Sequence, residues 1–267
     1  MSLDFELLKA CELEILGVFD RYCREHSLQY YLIGGALLGA ARYGKFIPWD
    51  DDIDVAMPRE DYERLFRLWQ ERPVDAYFLQ RAETDPLFAR GITKLRKNDT
   101  EVVEEISQGV NMHKGVYIDI FPVDYLPKIC ERKIEKRAKK IRRLLSLRAI
   151  RSGYIGKRRR IVKRIIRLGL LPVSLGVFDR RIEKLCIEQN TQEHRYAILW
   201  THNYDWRRQL HRIEVLGTAG TCEFCGQVWN APADTHAFLA TVFGEDYRQE
   251  PPKEKQIFPH HYLSFRC

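Results

Sequence analysis

Along the first 25 residues apolar side chains recur at helical spacing. Leu8, Cys11, Ile15, Val18 and Tyr22 share one stripe, which predicts an amphipathic helix over residues 3–25. A short apolar run from Gln29 to Ile33 reads as a strand. Gly34 and Gly35 close it, and Ala36 to Tyr43 returns to a helical pattern. Residues 45–48 turn the chain, Ile53 to Met57 predicts a second strand, and Pro58 opens a helix. The stripe of that helix, Tyr62, Leu65, Phe66 and Trp69, stops before Pro73. Residues 87–97 and 102–106 read as strands around a turn at 97–100. In Val116 to Phe121 strict alternation puts Tyr117, Asp119 and Phe121 on one face and Val116, Ile118 and Ile120 on the other. Beyond Pro127 the period becomes helical, over Arg132 to Arg148 and Lys157 to Leu168, joined through Ser152-Gly153.

The pattern predicts an α/β (α+β) fold with a mixed sheet, flanking helices and a helical C-terminal part. We divide it into a core over residues 1–127 and a mostly helical part over 128–267. The latter holds a basic, membrane-facing segment (128–178) and a region that completes the cleft.

One stretch breaks the ordinary distribution of charge. Trp49-Asp50-Asp51-Asp52-Ile53-Asp54-Val55 places four carboxylates within five residues beside apolar strand positions. Such crowding destabilises a fold unless a cation offsets it. In an extended segment Asp52 and Asp54 point to one side while Ile53 and Val55 enter the core. Two hard oxygen ligands suit magnesium. Asp119, on its own alternating strand, is a candidate third carboxylate. Upstream, Gly34 and Gly35 let a helix N-terminus approach a phosphate closely. A phosphate cradle beside a metal site points to phosphoryl or nucleotidyl transfer. Arg42 and Lys94 are the candidate cations for the donor's phosphates.

The stretch from Gly34 to Tyr62, containing Gly34-Gly35-Ala36-Leu37-Leu38-Gly39 and Trp49-Asp50-Asp51-Asp52-Ile53-Asp54-Val55, resembles the signature of the LicD family. That family comprises phosphocholine and related phospho-alditol transferases on a nucleotidyltransferase fold, distant relatives of fukutin and fukutin-related protein. Gly115-Val116-Tyr117-Ile118-Asp119-Ile120-Phe121-Pro122-Val123-Asp124 is similar to its second hallmark. Phe243-Gly244-Glu245-Asp246-Tyr247 through His260-His261 is similar to its C-terminal pattern. The resemblance implies a nucleotidyltransferase-like core in which Asp52 and Asp54 bind one or two Mg2+ ions, with Mn2+ as a substitute. Asp119 would complete the metal site and accept the proton of the incoming hydroxyl, and His260 and His261 would contact the active site. The implied reaction moves phosphocholine from CDP-choline to a hydroxyl of a cell-surface glycan (teichoic acid, lipopolysaccharide or a lipid-linked precursor) and releases CMP. The rival donors carry ribitol, glycerol or ethanolamine. Choline needs aromatic faces rather than hydrogen-bond donors. Among Trp49, Tyr117, Phe121, Tyr125, Trp200, Tyr204 and Trp206, Trp49 beside the acidic run is the expected pocket residue.

Composition narrows the remaining classes. Of 267 residues, 45% are hydrophobic and 30% charged, which excludes a disordered chain. No apolar run approaches the ~18 residues of a membrane span, and the N-terminal residues resemble no signal peptide, so the chain reads as cytoplasmic. Seven scattered cysteines read as reduced thiols. Cys222 and Cys225 have zinc-knuckle spacing but lack an evident second pair. The net charge of +7 is local: residues 128–168 hold 18 Lys and Arg against Glu131 and Glu135, leaving 26 basic and 35 acidic residues elsewhere. This block predicts an anionic partner, which is a membrane surface, a polyphosphate glycan or a nucleic acid. With Tyr154 as the one aromatic for base stacking, a nucleic-acid-binding protein or RNA nucleotidyltransferase is the disfavoured alternative. Leu168 to Phe178 is too short to span a bilayer and apolar enough to dip into one, which predicts peripheral attachment at the inner face of the cell membrane.

Overall fold

The computed structural model describes residues 4–156, 159–190, 193–258, 260 and 262–266. Helix α1 (Phe5–Glu25) is opened by Asp4, whose side chain accepts from the Leu7 N–H, and its apolar stripe packs on the core. Strand β1 (Tyr31–Ile33) passes directly into α2 (Gly34–Tyr43), two residues earlier than expected, because Gly34 takes φ +62 at the junction. Strand β2 (Asp54–Pro58), α3 (Arg59–Glu71), β3 (Tyr77–Gln80), β4 (Thr93–Lys97), β5 (Glu101–Glu104) and β6 (Tyr117–Leu126) follow. Residues 87–92 form bends and turns where a strand was expected.

The second half contributes α4 (Glu131–Ser152), α5 (Arg160–Leu170), α6 (Leu175–Ile187), β7 (Tyr196–Ile198), β8 (Leu210–Arg212), α7 (Ile213–Leu216), β9 (Gly220–Phe224), β10 (Gln227–Ala231), α8 (Thr235–Phe243) and β11 (Tyr262–Arg266). Gly153 ends α4 in the left-handed conformation, at the break between the two basic helices.

Seven strands of the described residues form a mixed sheet in the order β1-β2-β6-β4-β3, with β7 on β6 and β8 on β7. Strand β6 organises it. Its first half pairs parallel with β2 and antiparallel with β4, and its last residues pair with β7. Nine of its ten residues are buried, as expected of a strand covered on both faces. The main core lies between this sheet and α1, α2 and α3. A second core gathers Leu126, Ile134, Ile141, Phe178, Ile182 and Trp200 beneath α4 and α6. Two small antiparallel pairs, the β9–β10 hairpin and the long-range pairing of β5 with β11, form separate two-stranded sheets.

Candidate active site

Register builds the site. Asp119 on β6 lies opposite Asp54 on β2 and opposite Lys94 on β4, so three strands present one charged row on one face. The Asp119 N–H donates to the Ile53 carbonyl at 2.9 Å, extending the pairing towards the acidic run. Asp50, Asp52, Asp54, Lys94 and Asp119 all line a cleft of about 540 Å³, joined by Gly35, Arg90, Glu104, Phe121, His202, Tyr204 and His260. Thr201 to Tyr204 follow β7, and β11, paired with β5, carries the C-terminal segment back so that His260 enters the same cleft.

The electrostatics are those of carboxylates kept from water. Burial, with Asp54 and Asp51 nearby, pushes Asp50 up to about 7. Burial and then Asp54 and Asp50 raise Asp52, and burial raises Asp119 against the pull of Lys94. Lys94, 2% exposed, reaches Asp119 Oδ1 at 2.8 Å and sits 3.1 Å from the centre of the Tyr117 ring; burial lowers its pKa. Glu104 moves the other way: although burial opposes it, Lys94 and Arg90 hold it down at about 2, and Arg90 Nη2 donates to its carboxylate at 2.7 Å. Behind the cleft, burial and then Asp51 raise Glu12 on α1.

The donor set fits a hard cation. Asp50 Oδ2 and Asp51 Oδ2 are buried without a hydrogen-bond partner among the described residues, a costly state that a bound cation relieves. Ligand atoms of Asp51, Asp52 and His260 lie within 4.8 Å of one another, making this a group able to hold a metal. His260 Nδ1 is 2.9 Å from Asp51 Oδ1 and 3.8 Å from Asp52 Oδ2. Against the effect of burial, its hydrogen bond to Asp51 raises its pKa. Asp54 and Asp119 flank this group on the strands, and His202 Nε2 lies 3.9 Å from Asp54 Oδ2.

Other expected residues fall elsewhere or act differently. A Cβ added at Gly34 would meet Asp54 Oδ2 at 2.6 Å, and one at Gly35 would overlap Asp50 Oδ2. The pair thus permits the close approach of α2 to the carboxylates. Arg42 is turned away: its Nε and Nη2 donate to the carbonyls of Tyr247 and Gln249 at 2.5 and 2.6 Å, tying α2 to the C-terminal segment. Trp49 packs half-buried against the main core and is not among the residues lining the cleft. The aromatic wall is made instead by Phe121, His202 and Tyr204, with 4.8 Å between the ring centres of each successive pair. Arg208 covers one face of Tyr204 at 4.2 Å. His261 lies outside the described residues. Cys222 lies within β9 opposite Trp229 and Cys225 at the β9–β10 turn, and among the described residues no third metal-binding side chain gathers with them.

Comparison with known proteins agrees with this geometry. The LicD/FKTN/FKRP nucleotidyltransferase domain matches residues 27–140, the span that contains β1 to β6 and their charged row. The chain carries a LicD-family nucleotidyltransferase domain. The lipopolysaccharide cholinephosphotransferase LicD of Haemophilus influenzae is 28% identical over 252 residues, covering 93% of this chain and 92% of that protein. Ribitol 5-phosphate transferase FKRP of mouse and of human is 56% identical over 35 residues, 13% of this chain and 7% of theirs. The chain is accordingly an enzyme with a LicD-type domain over residues 27–140 and resembles a LicD cholinephosphotransferase over most of its length.

Alternation along the strand singled out Asp52 and Asp54, whereas the group able to hold a metal also includes Asp51 from the same acidic run. His202, Arg90 and Glu104 carried no motif. They reach the LicD-type cleft through tertiary folding of the β7 loop and of the segments around β4 and β5.

Proposed function

We propose that this enzyme transfers phosphocholine from CDP-choline to a hydroxyl of a cell-surface glycan or its lipid-linked precursor. The observation that carries the reading is the similarity to a lipopolysaccharide cholinephosphotransferase over 93% of this chain, on a cleft with an acidic floor and an aromatic wall. In this reading residues 1–127 form the catalytic core, and residues 128–267 complete the cleft and face an anionic membrane.

The acceptor oxygen forms a bond to the phosphorus that bears choline, the phosphoanhydride bond to CMP breaks, and CMP leaves with the bond electrons. Asp119 takes the acceptor's proton. Burial raises its pKa against the pull of Lys94, which makes it a better proton acceptor than an ordinary carboxylate. Asp52 and Asp54, with Asp51 and His260 beside them, supply the ligands for a divalent cation, magnesium or manganese. An imidazole in the set favours manganese more than an all-oxygen set would. Such a cation, when bound, offsets the charge of the pyrophosphate and of the departing CMP. Arg90 and Lys94 hold the phosphates, and Gly34 and Gly35 keep the α2 N-terminus close to them. Phe121, His202 and Tyr204 present ring faces to the trimethylammonium group, which offers no hydrogen-bond donors.

The 35-residue match to ribitol 5-phosphate transferase favours CDP-ribitol as the second reading. Incubating the protein and Mg2+ or Mn2+ with CDP-choline, CDP-ethanolamine, CDP-ribitol or CDP-glycerol, and measuring CMP, separates them. We expect CDP-choline to be consumed fastest. CMP from CDP-ribitol alone would replace the head group and leave the cleft chemistry standing.

A further inference from the structure

Helix α5 has an unusual surface for a folded protein. None of its residues is buried, and Ile161, Val162, Ile165 and Leu168 are 74%, 51%, 64% and 66% exposed. The exposed aliphatics recur at i, i+4 and i+7 (Ile161, Ile165, Leu168), with Val162 and Ile166 alongside. Arg160, Lys163, Arg164 and Arg167 recur at i, i+3, i+4 and i+7 on the other side. The helix is therefore divided lengthwise into an apolar half and a cationic half, without an acidic residue.

The neighbouring apolar stretch behaves differently. Leu171 is 48% exposed, but Leu170 and Val173 are partly buried against the second core and Phe178 is 5% exposed within it, so most of the stretch after Leu168 turns inward. Arg151 fixes this turn by donating to the carbonyls of Leu171 and Val173. The outward apolar face belongs to α5 itself.

We propose that α5 lies in the surface of an anionic bilayer, with its aliphatic half among the acyl chains and its cations at the headgroups. The proposal rests on the reading above, in which the acceptor is carried by lipid. Charge chooses the occupant. The surrounding block of 18 basic and two acidic residues complements an anionic surface. A soluble polyanion would satisfy these cations and leave five aliphatic side chains in water, whereas a bilayer takes both halves at once. Placement adds a consequence: Gly156, four residues before α5, lines the cleft. A docked α5 therefore holds one edge of the cleft at the membrane, where a lipid-linked hydroxyl is presented. No helix among the described residues is long and apolar enough to cross a membrane.

The test is co-sedimentation of the full chain with phosphatidylcholine vesicles, with and without phosphatidylserine, comparing wild type with I161E/I165E/L168E and with K163E/R167E. All five positions lie outside the cleft wall, and thermal melting checks that each variant folds. We expect wild type to bind only the anionic vesicles, binding to fall at least tenfold in both variants, and CMP release from CDP-choline to a soluble acceptor to stay unchanged. Binding that survives the aliphatic-to-Glu changes would overturn the proposal. So would a wild-type dimer that those changes convert to monomer, because the face would then belong to a second copy. CMP release without vesicle binding would reject the docking surface and leave the transfer reaction intact, whereas vesicle binding without CMP release would do the reverse.

Discussion

The cleft and helix α5 invert the normal rule of protein surfaces in opposite ways. The cleft buries charge: Asp51 is fully buried, Asp119 is 9% exposed, and several carboxylates share one cavity. Helix α5 exposes what should be inside, five aliphatic side chains on eleven residues. Each region costs stability in the isolated chain, and in the functions proposed above each cost is offset by something of complementary nature, a cation and phosphates in one case and a lipid surface in the other. The difference lies in rigidity. The cleft is held by three strands in register, whereas α5 buries none of its residues and is tied near its C-terminal end by Arg151 of α4, which donates to the Leu171 carbonyl.

The largest effect should come from the acidic floor. Asp52→Asn and Asp54→Asn should each reduce CMP release on the order of a thousandfold, the scale of losing metal charge stabilisation. The melting temperature should hold or rise as repulsion is relieved. A variant that keeps its turnover, or loses activity by unfolding, would break the view that this charge serves function rather than the fold.

Lys94→Met probes the same row from its cationic side. With the ammonium gone, Asp119 and Glu104 lose the cation between them, and stability should fall by about 3–5 kcal/mol in denaturant unfolding. An unchanged midpoint would mean that the row tolerates an isolated carboxylate.

His211 provides a contrast outside the cleft. On β8 it stacks on Phe238 at 4.4 Å, both ring nitrogens are buried without partners among the described residues, and burial lowers its pKa to about 4. Because the folded state resists protonation, the unfolded chain binds the proton first. Stability is therefore complete above about 6.5, the pKa of an unfolded histidine, and falls as pH drops towards 4, by on the order of 3 kcal/mol. His211→Leu should flatten that part of the stability–pH curve; an equal slope in the variant would assign the acid sensitivity to the carboxylates.

The smallest effect concerns the wall. Tyr204→Ala should weaken CDP-choline by about 1–2 kcal/mol, roughly tenfold, with little change for CMP. Trp49→Ala should do less, since Trp49 packs on the core. Isothermal titration that finds the reverse order would move the head group to Trp49.

Much of this was legible in the chain. The alternation of Val116 to Phe121 and the spacing of Asp52 and Asp54 are local signals of period two, and all three carboxylates line the cleft. Helices α1, α3 and α4 followed from apolar stripes and their breakers. Strand β3 was missed because Tyr77 to Gln80 is short and draws its stability from pairing with β4. The glycine pair pointed to a close approach without saying to what, and the structure brings carboxylates there. Arg42 and Trp49 were chosen by proximity along the chain, which says nothing about orientation once α2 meets the C-terminal segment. His202 and Tyr204 depend on contacts across about eighty residues, beyond the reach of any periodic pattern.

Strand β6 joins its neighbour β2 across some sixty residues of intervening chain, and Asp119 must stop between Asp54 and Lys94. A slip of one position would send Ile118 or Ile120 into the cleft and Asp119 into the hydrocarbon interior, because successive side chains face opposite ways. Misalignment would therefore abolish chemistry and folding together, leaving no half-active species. For this protein, specific activity after refolding would count correctly threaded molecules.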